Sequence, residues 1–371
     1  MLIGVPRELK NHEYRVAITP AGVHELTRRG HQVVLEHDAG AGSHLPDEQY
    51  VAEGATILET ADEVWAAADM VLKVKEPVAA EYHRMRADQV LFTYLHLAAS
   101  RETAKALLDS GTTSIAYETV RGRAGDLPLL APMSEVAGRL APQAGAAHLL
   151  AAAGGRGVLM GGVPGVPPAD VVVIGAGVSG SNAVAMAVGL GASVTVLDLD
   201  VNKLRRLDDH YGGRVRTAYA STLETRRAVT NADLVIGAVL VPGARAPRVV
   251  SHADVEQMRP GSVLVDIAID QGGCFEDSRP TTHADPTYKV AGSLFYCVTN
   301  MPGAVPNTST HALTNATLPY VVALADRGWK AALAADSGLA AGLSTHRGAL
   351  TDRALAEELD LPFNGPHLAA A

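Results

Sequence analysis

The sequence predicts an α/β protein with two Rossmann-like parallel-sheet domains, joined by long helices, with a cleft between them. Short runs rich in Val, Ile and Leu alternate with helical segments along the chain. One run, 171–174, passes directly into a glycine-rich turn and a helix of small residues. Pro128 and Pro132 interrupt the alternation and mark a boundary. The predicted domains are therefore 1–128 completed by 306–371, and 129–305.

The front domain is predicted from a regular order of strands and helices. Pro6 ends the first strand, and Thr19 with Pro20 begins the first helix as N-cap and first helical residue. Gly30 closes that helix, and Ser100 caps a later one. The predicted strands are 2–5, 32–36, 56–58, 70–74, 90–95 and 113–117, and the predicted helices are 21–29, 47–53, 61–67 and 100–109.

The rear domain is predicted to begin with a helix over 134–153. Pro142 should kink or break this helix, because proline has no N–H to donate. Strands and helices then alternate as before. The predicted strands are 171–174, 193–197, 214–217, 234–237, 263–267 and 294–298, the helices are 182–190, 202–210 and 221–230, and a last helix, 311–327, returns to the front domain.

The glycine-rich turn has the pattern of a dinucleotide site. Gly175, Gly177 and Gly180 permit a tight turn that also includes Val178. The backbone N–H groups of this turn would approach a pyrophosphate at a helix N-terminus. The next strand ends at Asp198, whose carboxylate would accept ribose hydroxyls and repel a 2′-phosphate. This order of elements predicts NAD binding, in preference to NADP. The alternative is a glycine-rich turn of another α/β domain.

Composition narrows the class of protein. With 371 residues, 47% of them hydrophobic, and a net charge of −9, the chain suits a two-domain enzyme. It has no basic block for nucleic acid, no apolar run of membrane-spanning length and no signal-peptide pattern, so we expect a soluble cytoplasmic protein. Cys274 and Cys297 are expected as buried free thiols, and a single disulfide is the alternative.

Four polar residues lie at or just after strand ends, where parallel sheets bind ligands: Arg15, Lys75, His96 and Asp270. Each residue alone also has a purely structural explanation. Arg15 could form a surface ion pair and Lys75 could be solvated. His96 could be a hydrogen-bonded structural residue, and Asp270 could cap a helix or turn. Together they suit one chemistry. Arg15 offers a planar fork for a carboxylate and Lys75 a compact positive charge. His96 carries protons near neutral pH, and Asp270 is a counter-charge for an ammonium.

Seven segments carry a resemblance to a known family. Gly-Val-Pro-Arg-Glu at 4–8 and Asn-His-Glu-Tyr-Arg-Val-Ala-Ile-Thr-Pro at 11–20 are the N-terminal pair. The others are 73–77, 94–98, 132–138, 266–273 and 300–302. At this spacing, over essentially the whole chain, they resemble the family of alanine dehydrogenases and proton-translocating nicotinamide nucleotide transhydrogenases.

The resemblance implies reversible NAD-dependent oxidative deamination of L-alanine to pyruvate and ammonia by a homohexamer. Some relatives also reduce glyoxylate to glycine. It implies that Arg15 and Lys75 bind the substrate carboxylate and that His96 and Asp270 act as acid and base. The positions that match NAD contacts are Ser134, Asp198, Lys203, Ala220, Val239, Leu240, Ile267, Ala268, Ile269, Asp270, Arg279, Val298, Thr299, Asn300 and Met301.

The chain departs from the family pattern at a few positions. Ala220 stands where members often have a serine that touches the adenine end. Ala323 and Arg327 stand where some members hold a divalent ion with a Glu and a His, so no metal is expected. Two alternatives remain: a transhydrogenase α-type NAD(H) module without an amino-acid substrate, and a non-catalytic NAD-binding redox sensor. Only the dehydrogenase would form NADH from alanine and NAD.

Overall fold

The computed structural model describes residues 1–239 and 246–365, which form two sheets with their helices. The strands are β1 Leu2–Val5, β2 Gln32–Glu36, β3 Thr56–Leu58, β4 Met70–Leu72, β5 Val90–Thr93, β6 Thr113–Ala116, β7 Asp170–Ile174, β8 Ser193–Asp198, β9 Val215–Tyr219, β10 Leu234–Gly237, β11 Val263–Asp266, β12 Thr287–Val290, β13 Ser293–Tyr296, β14 Leu343–His346 and β15 Ala349–Leu350. The α-helices are α1 Pro20–Thr27, α2 Asp47–Ala52, α3 Ala61–Ala67, α4 Arg101–Ser110, α5 Ala131–Leu149, α6 Val178–Gly189, α7 Val201–Tyr211, α8 Thr222–Asn231, α9 His252–Val255, α10 Pro306–Arg327, α11 Trp329–Ala335, α12 Ser337–Ala340 and α13 Arg353–Leu359.

The chain divides into two compact units. Unit 1 comprises Met1–Met133 and Val305–Ala371, and unit 2 comprises Ser134–Ala304. The predicted class, α/β with two sheet domains, is confirmed. Within the described residues, no helix combines the length and apolar character needed to span a membrane.

The sheet of unit 1 has the order β15-β14-β6-β5-β4-β1-β2-β3. From β6 to β3 all neighbours are parallel. The order is not sequential, because β1 lies between β2 and β4. This places the carboxyl end of β1 beside that of β4, and the end of β5 beside that of β6.

The sheet of unit 2 has the order β12-β13-β11-β10-β7-β8-β9, with β7 near its centre. Alternate residues of β7 enter opposite cores, Val171 and Val173 on one face, Val172 and Ile174 on the other. A strand that is buried on both faces explains the unbroken apolar run of the sequence.

Each sheet also has antiparallel edge strands, which the sequence analysis does not predict. β14 is antiparallel to β6 and β15, and β12 is antiparallel to β13. Short connections explain the hairpins β12–β13 and β14–β15. Two residues join β12 to β13, Ala291 and Gly292, both at positive φ, and such a short turn reverses the chain.

Of the two outcomes predicted at Pro142, a kink or a break, the break is wrong, because α5 is continuous from Ala131 to Leu149. Proline removes one helical hydrogen bond, but α5 is held by packing: Ala141 and Leu149 are fully buried in the core of unit 2. The helix starts three residues before the predicted Ser134, because Pro132 falls in its first turn, where no N–H is needed.

Candidate functional site

The glycine turn of unit 2 joins β7 to α6. Gly175 has φ +102, and a Cβ there would lie 2.5 Å from the Ala238 carbonyl oxygen. A Cβ on Gly180 would lie 1.7 Å from the Gly175 oxygen, so the third glycine lets the helix pack against the turn. A Cβ on Gly177 would meet nothing within 4 Å, which leaves this backbone open to a ligand. The 12-residue helix α6 starts at Val178, earlier than the predicted 182, and presents its N-terminus here.

Gly180→Ala is expected to weaken NADH binding at least about tenfold, because the new Cβ displaces the Gly175 carbonyl and with it the turn. The measurement is NADH fluorescence titration of each variant. The matched control is Gly189→Ala in the same helix, where a Cβ meets nothing within 4 Å. An unchanged NADH affinity in Gly180→Ala would contradict the expectation.

Asp198, at the end of β8, is tied to the glycine turn. Its Oδ2 accepts the N–H of Ala176 at 2.6 Å and its Oδ1 accepts that of Asp200 at 2.8 Å. Lys203 Nζ lies 3.6 Å from Oδ2. The carboxylate is therefore held at a fixed position. The lone pairs that these N–H groups do not use can accept a hydrogen bond from a ribose hydroxyl.

Asp270 lies in the 3-10 helix Ile267–Gln271 that follows β11, and its side chain is exposed. The helix is capped by the fully buried Asp266, which accepts the N–H groups of Ala268 at 3.0 Å and Cys274 at 2.8 Å and the Ser278 hydroxyl. Burial raises the pKa of Asp266 above its ordinary value, despite these donors. Asp266, which the sequence analysis did not select, therefore holds the turn that carries Asp270.

The other residues assigned to NAD by resemblance also follow strand ends of unit 2. Val239 follows β10 and Ala220 follows β9, where the Ala220 N–H donates to the backbone carbonyl oxygen of Asp198 at 3.1 Å. Val298 and Thr299 follow β13, and Asn300 (φ +58) leads into the 3-10 helix Met301–Ala304. The Arg279 guanidinium lies 4.0 Å over the Tyr288 ring. Ser134 lies in the first turn of α5, and Leu240 lies outside the described residues.

In unit 1, Arg15 is buried and bound by Glu13. Its Nε and Nη2 donate to the two Glu13 oxygens at 2.6 and 2.5 Å, and Nη1 lies 2.9 Å from Met133 Sδ. Burial lowers the pKa of Arg15, but the Glu13 carboxylate more than offsets this, and the pKa is raised. One edge of the fork is thus already occupied. The role of Arg15 toward a substrate carboxylate stays a prediction.

Lys75 belongs to the same group of charges as Arg15. Burial would raise the pKa of Glu13, but Arg15 and then Lys75 lower it, and the pKa lies below its ordinary value. Lys75 does not end a strand as predicted, since β4 stops at Leu72. The reason is Glu8: its Oε1 accepts the N–H of Val74 at 2.6 Å, a donor that a longer strand would use.

Lys73 is a fully buried lysine that the sequence analysis did not select. Its Nζ lies 3.0 Å from Glu8 Oε2 and 3.0 Å from Glu81 Oε1. Burial lowers the pKa of Lys73, but the two carboxylates outweigh burial and raise it. A lysine inside an apolar strand run signals a buried counter-charge, although the sequence does not say which acid supplies it.

His96 lies beyond the end of β5, which stops at Thr93. Its ring is stacked on Tyr94, with centroids 5.7 Å apart and an interplanar angle of 6°. Tyr94 donates its hydroxyl to the Leu129 oxygen at 2.5 Å and interacts electrostatically with Arg15. Unit 1 therefore brings Arg15, Lys75 and His96 into one group through Glu13 and Tyr94.

Cys274 and Cys297 are free and buried in unit 2, as expected. Burial raises the pKa of both thiols, that of Cys297 to about 11. Among the described residues, the trio His37, Asp38 and Asp47 is close enough to share an ion, and it lies at the surface of unit 1.

Together, the two sheets define a class: an α/β protein with a dinucleotide-type glycine turn in unit 2 and a group of basic side chains, Arg15, Lys75 and His96, in unit 1. Residues 4–137 match the family model "Alanine dehydrogenase/PNT, N-terminal domain", and residues 141–353 match "Alanine dehydrogenase/PNT, C-terminal domain". The chain belongs to the alanine dehydrogenase/PNT family.

Curated relatives cover nearly the whole chain. It is 66% identical over 363 residues to an alanine dehydrogenase of Mycolicibacterium smegmatis, with 98% of each chain covered. It is 64% identical over 366 residues to an alanine dehydrogenase of Mycobacterium tuberculosis, with 99% of each covered. A solved L-alanine dehydrogenase superposes with a TM-score of 0.94 at 52% identity and full coverage of both chains. A transhydrogenase from Sinorhizobium meliloti superposes with 0.82 at 27% identity, covering 95% of this chain and 100% of that one.

Proposed function

We propose that this chain is an NAD-dependent alanine dehydrogenase, which converts L-alanine, NAD and water reversibly into pyruvate, ammonium, NADH and a proton. The observation that carries the proposal is its identity of 64–66%, over nearly all of both chains, to proteins named alanine dehydrogenase. The likeness to a transhydrogenase is weaker, at 27% identity. The group of basic side chains in unit 1 supports the choice, since a carboxylate substrate needs such a group and a transhydrogenase module does not.

The residues of unit 2 fit NAD. The open backbone at Gly177 and the N-terminus of α6 suit the pyrophosphate, and Asp198 suits the adenosine ribose. Leu199, Tyr219 and Leu223, next to β8 and β9, are 66, 54 and 53% exposed, an apolar surface that an adenine would cover. The remaining contacts are proposed for Ser134, Val178, Lys203, Ala220, Val239, Leu240, 267–270, Arg279 and 298–301. When bound, NAD accepts a hydride from the alanine α-carbon.

The residues of unit 1 bind and orient the amino acid. Arg15 and Lys75 hold the α-carboxylate, so most of their contribution to rate is orientation. Alanine must lose an ammonium proton before its α-hydrogen leaves, and the oxidised substrate is an iminium that water attacks. His96 takes the water proton at its imidazole and returns one to the departing amine, while Asp270 holds the positive nitrogen. The division of proton transfers between these two, and the cleft expected between the units, stay predictions.

Arg15→Lys is expected to raise the KM for alanine about 10- to 100-fold, because a lysine cannot bind Glu13 through two atoms and still present a donor to the substrate. The measurement is steady-state alanine oxidation at saturating NAD. Arg28→Lys, in an exposed pair with Glu25, is the matched control. An unchanged KM in Arg15→Lys would remove Arg15 from the substrate site.

The test of the function is NADH formation, followed by absorbance, from NAD and a series of small amino acids, with reduction of pyruvate and glyoxylate in the reverse direction. Turnover with alanine is expected. If no NADH forms from alanine and NAD, the remaining alternatives are the transhydrogenase α-type module and the redox sensor. We further propose a homohexamer in the cytoplasm, without a bound divalent ion. Light scattering on the purified protein measures the oligomeric state.

A further inference from the structure

A carboxylate outside the residues discussed above engages the backbone of His96. Glu118 Oε1 accepts the His96 N–H at 2.6 Å and the Leu95 N–H at 3.1 Å, and Oε2 lies 3.2 Å from the same Leu95 nitrogen. Two consecutive backbone donors thus converge on one side chain. Successive N–H groups in a turn form a concave anion site, and in unit 1 a carboxylate of the chain itself fills it.

The contact with Glu118 occurs where the backbone of His96 has an unusual conformation. His96 has φ 47 and ψ 41, the left-handed region that a non-glycine residue adopts only when its surroundings hold it there. Glu118 binds the N–H groups of Leu95 and His96, directly before this turn, and so holds the peptide plane from which the turn starts. The φ of His96 sets the direction of its Cα–Cβ bond relative to that plane, and so where the imidazole begins.

The imidazole itself is not hydrogen-bonded to Glu118. Its Nδ1 lies 3.9 Å from Glu118 Oε1, beyond hydrogen-bond distance. The ring is oriented by stacking on Tyr94, and its side chain is 40% exposed. Glu118 therefore acts on the His96 backbone, while the ring keeps both nitrogens for other partners.

The sheet explains why Glu118 reaches His96. β5 and β6 are parallel, and their last paired residues are Thr93 and Ala116. Two residues beyond Ala116, Glu118 lies in the 3-10 turn Tyr117–Thr119, level with the residues that follow Thr93. Its side chain is only 18% exposed, so the two hydrogen bonds form in a partly water-excluded place.

We propose that Glu118 is a positioning residue for His96: it accepts the backbone N–H groups of Leu95 and His96 and holds the left-handed turn that aims the imidazole at the substrate. The proposal deepens the proposed function and rests on it. The proposal attributes the effect of Glu118 to the hydrogen bonds that its oxygen accepts, and not to an electrostatic effect of its negative charge on the His96 ring. Two variants of Glu118 are therefore expected to behave differently.

The test compares Glu118→Ala with Glu118→Gln. Alanine removes the acceptor, and kcat for alanine oxidation should fall at least tenfold, with the Kd for NADH unchanged. Glutamine keeps one oxygen able to accept both N–H groups, so its kcat should stay within about threefold of the parent. Should Glu118→Ala fail to fold, Glu118→Met fills the same volume without an acceptor and takes its place. Glu48→Ala, an exposed acid of α2, is the matched control.

Coupling to His96 separates positioning from a general structural effect. In a His96→Ala background, the further substitution Glu118→Ala should lower kcat less than twofold, because the aimed group is already gone. The proposal is overturned by any of three results: parental kcat in Glu118→Ala, equal damage from alanine and glutamine, or the same fold loss with and without His96. A parent enzyme without alanine turnover would instead contradict the proposed function.

Discussion

His96→Ala is expected to lower kcat for alanine oxidation at least about 100-fold, because a positioned acid–base group contributes on the order of 10²–10⁴ to rate. NADH binding should be unchanged, since the glycine turn and Asp198 belong to unit 2 and His96 belongs to unit 1. The measurement is kcat across the pH range, beside NADH titration. A kcat of His96→Ala that stays within tenfold of the parent at every pH would show that His96 is not the acid–base residue.

The backbone of His96 requires a second variant. Alanine at φ 47 is more strained than histidine, so His96→Ala changes both the turn and the proton carrier. Asparagine adopts the left-handed region readily but does not titrate near neutral pH. His96→Asn should therefore lose as much activity as His96→Ala while keeping the parental thermal stability. A fully active His96→Asn would show that the turn matters and the imidazole does not.

Lys73→Met is expected to destabilise unit 1 by about 3–5 kcal/mol, because it leaves Glu8 and Glu81 buried without their cation. The two tryptophans of the chain, Trp65 and Trp329, both lie in unit 1. Urea unfolding followed by tryptophan fluorescence therefore reports on this unit. The loss should extend to activity, since Glu8 also holds the N–H of Val74, next to Lys75.

Lys105→Met is the matched control for Lys73→Met. Lys105 pairs with Asp109 one helical turn away, with both side chains mostly exposed, and such pairs contribute about 1 kcal/mol or less. Replacing the whole buried group, as Lys73→Met with Glu8→Gln and Glu81→Gln, should recover part of the lost stability, because no unpaired charge remains. Equal unfolding midpoints for Lys73→Met and Lys105→Met would contradict this account.

Local chemistry was predictable along most of the chain. The glycine turn was identified from the spacing of Gly175, Gly177 and Gly180, because strand, turn and helix follow one another directly in the sequence. Most strands of both sheets were identified, because apolar runs bounded by turn residues depend on near neighbours. The edge strands β12, β14 and β15 were missed. Other errors lie at the ends of elements. β4 and β5 end early because side-chain carboxylates take the N–H groups that longer strands would use.

The sequence by itself determined the class of fold, the dinucleotide turn, the family and the identity of the residues predicted to carry the chemistry. Only the tertiary structure decided which carboxylate holds each of them: Glu13 for Arg15, Glu8 for the backbone at Lys75 and Glu118 for His96. Glu8 lies 66 residues from Val74, and Glu118 lies 22 from His96. Those contacts exist because β1 lies beside β4 and β5 beside β6, and strand order is set by packing of the whole sheet rather than by any local pattern.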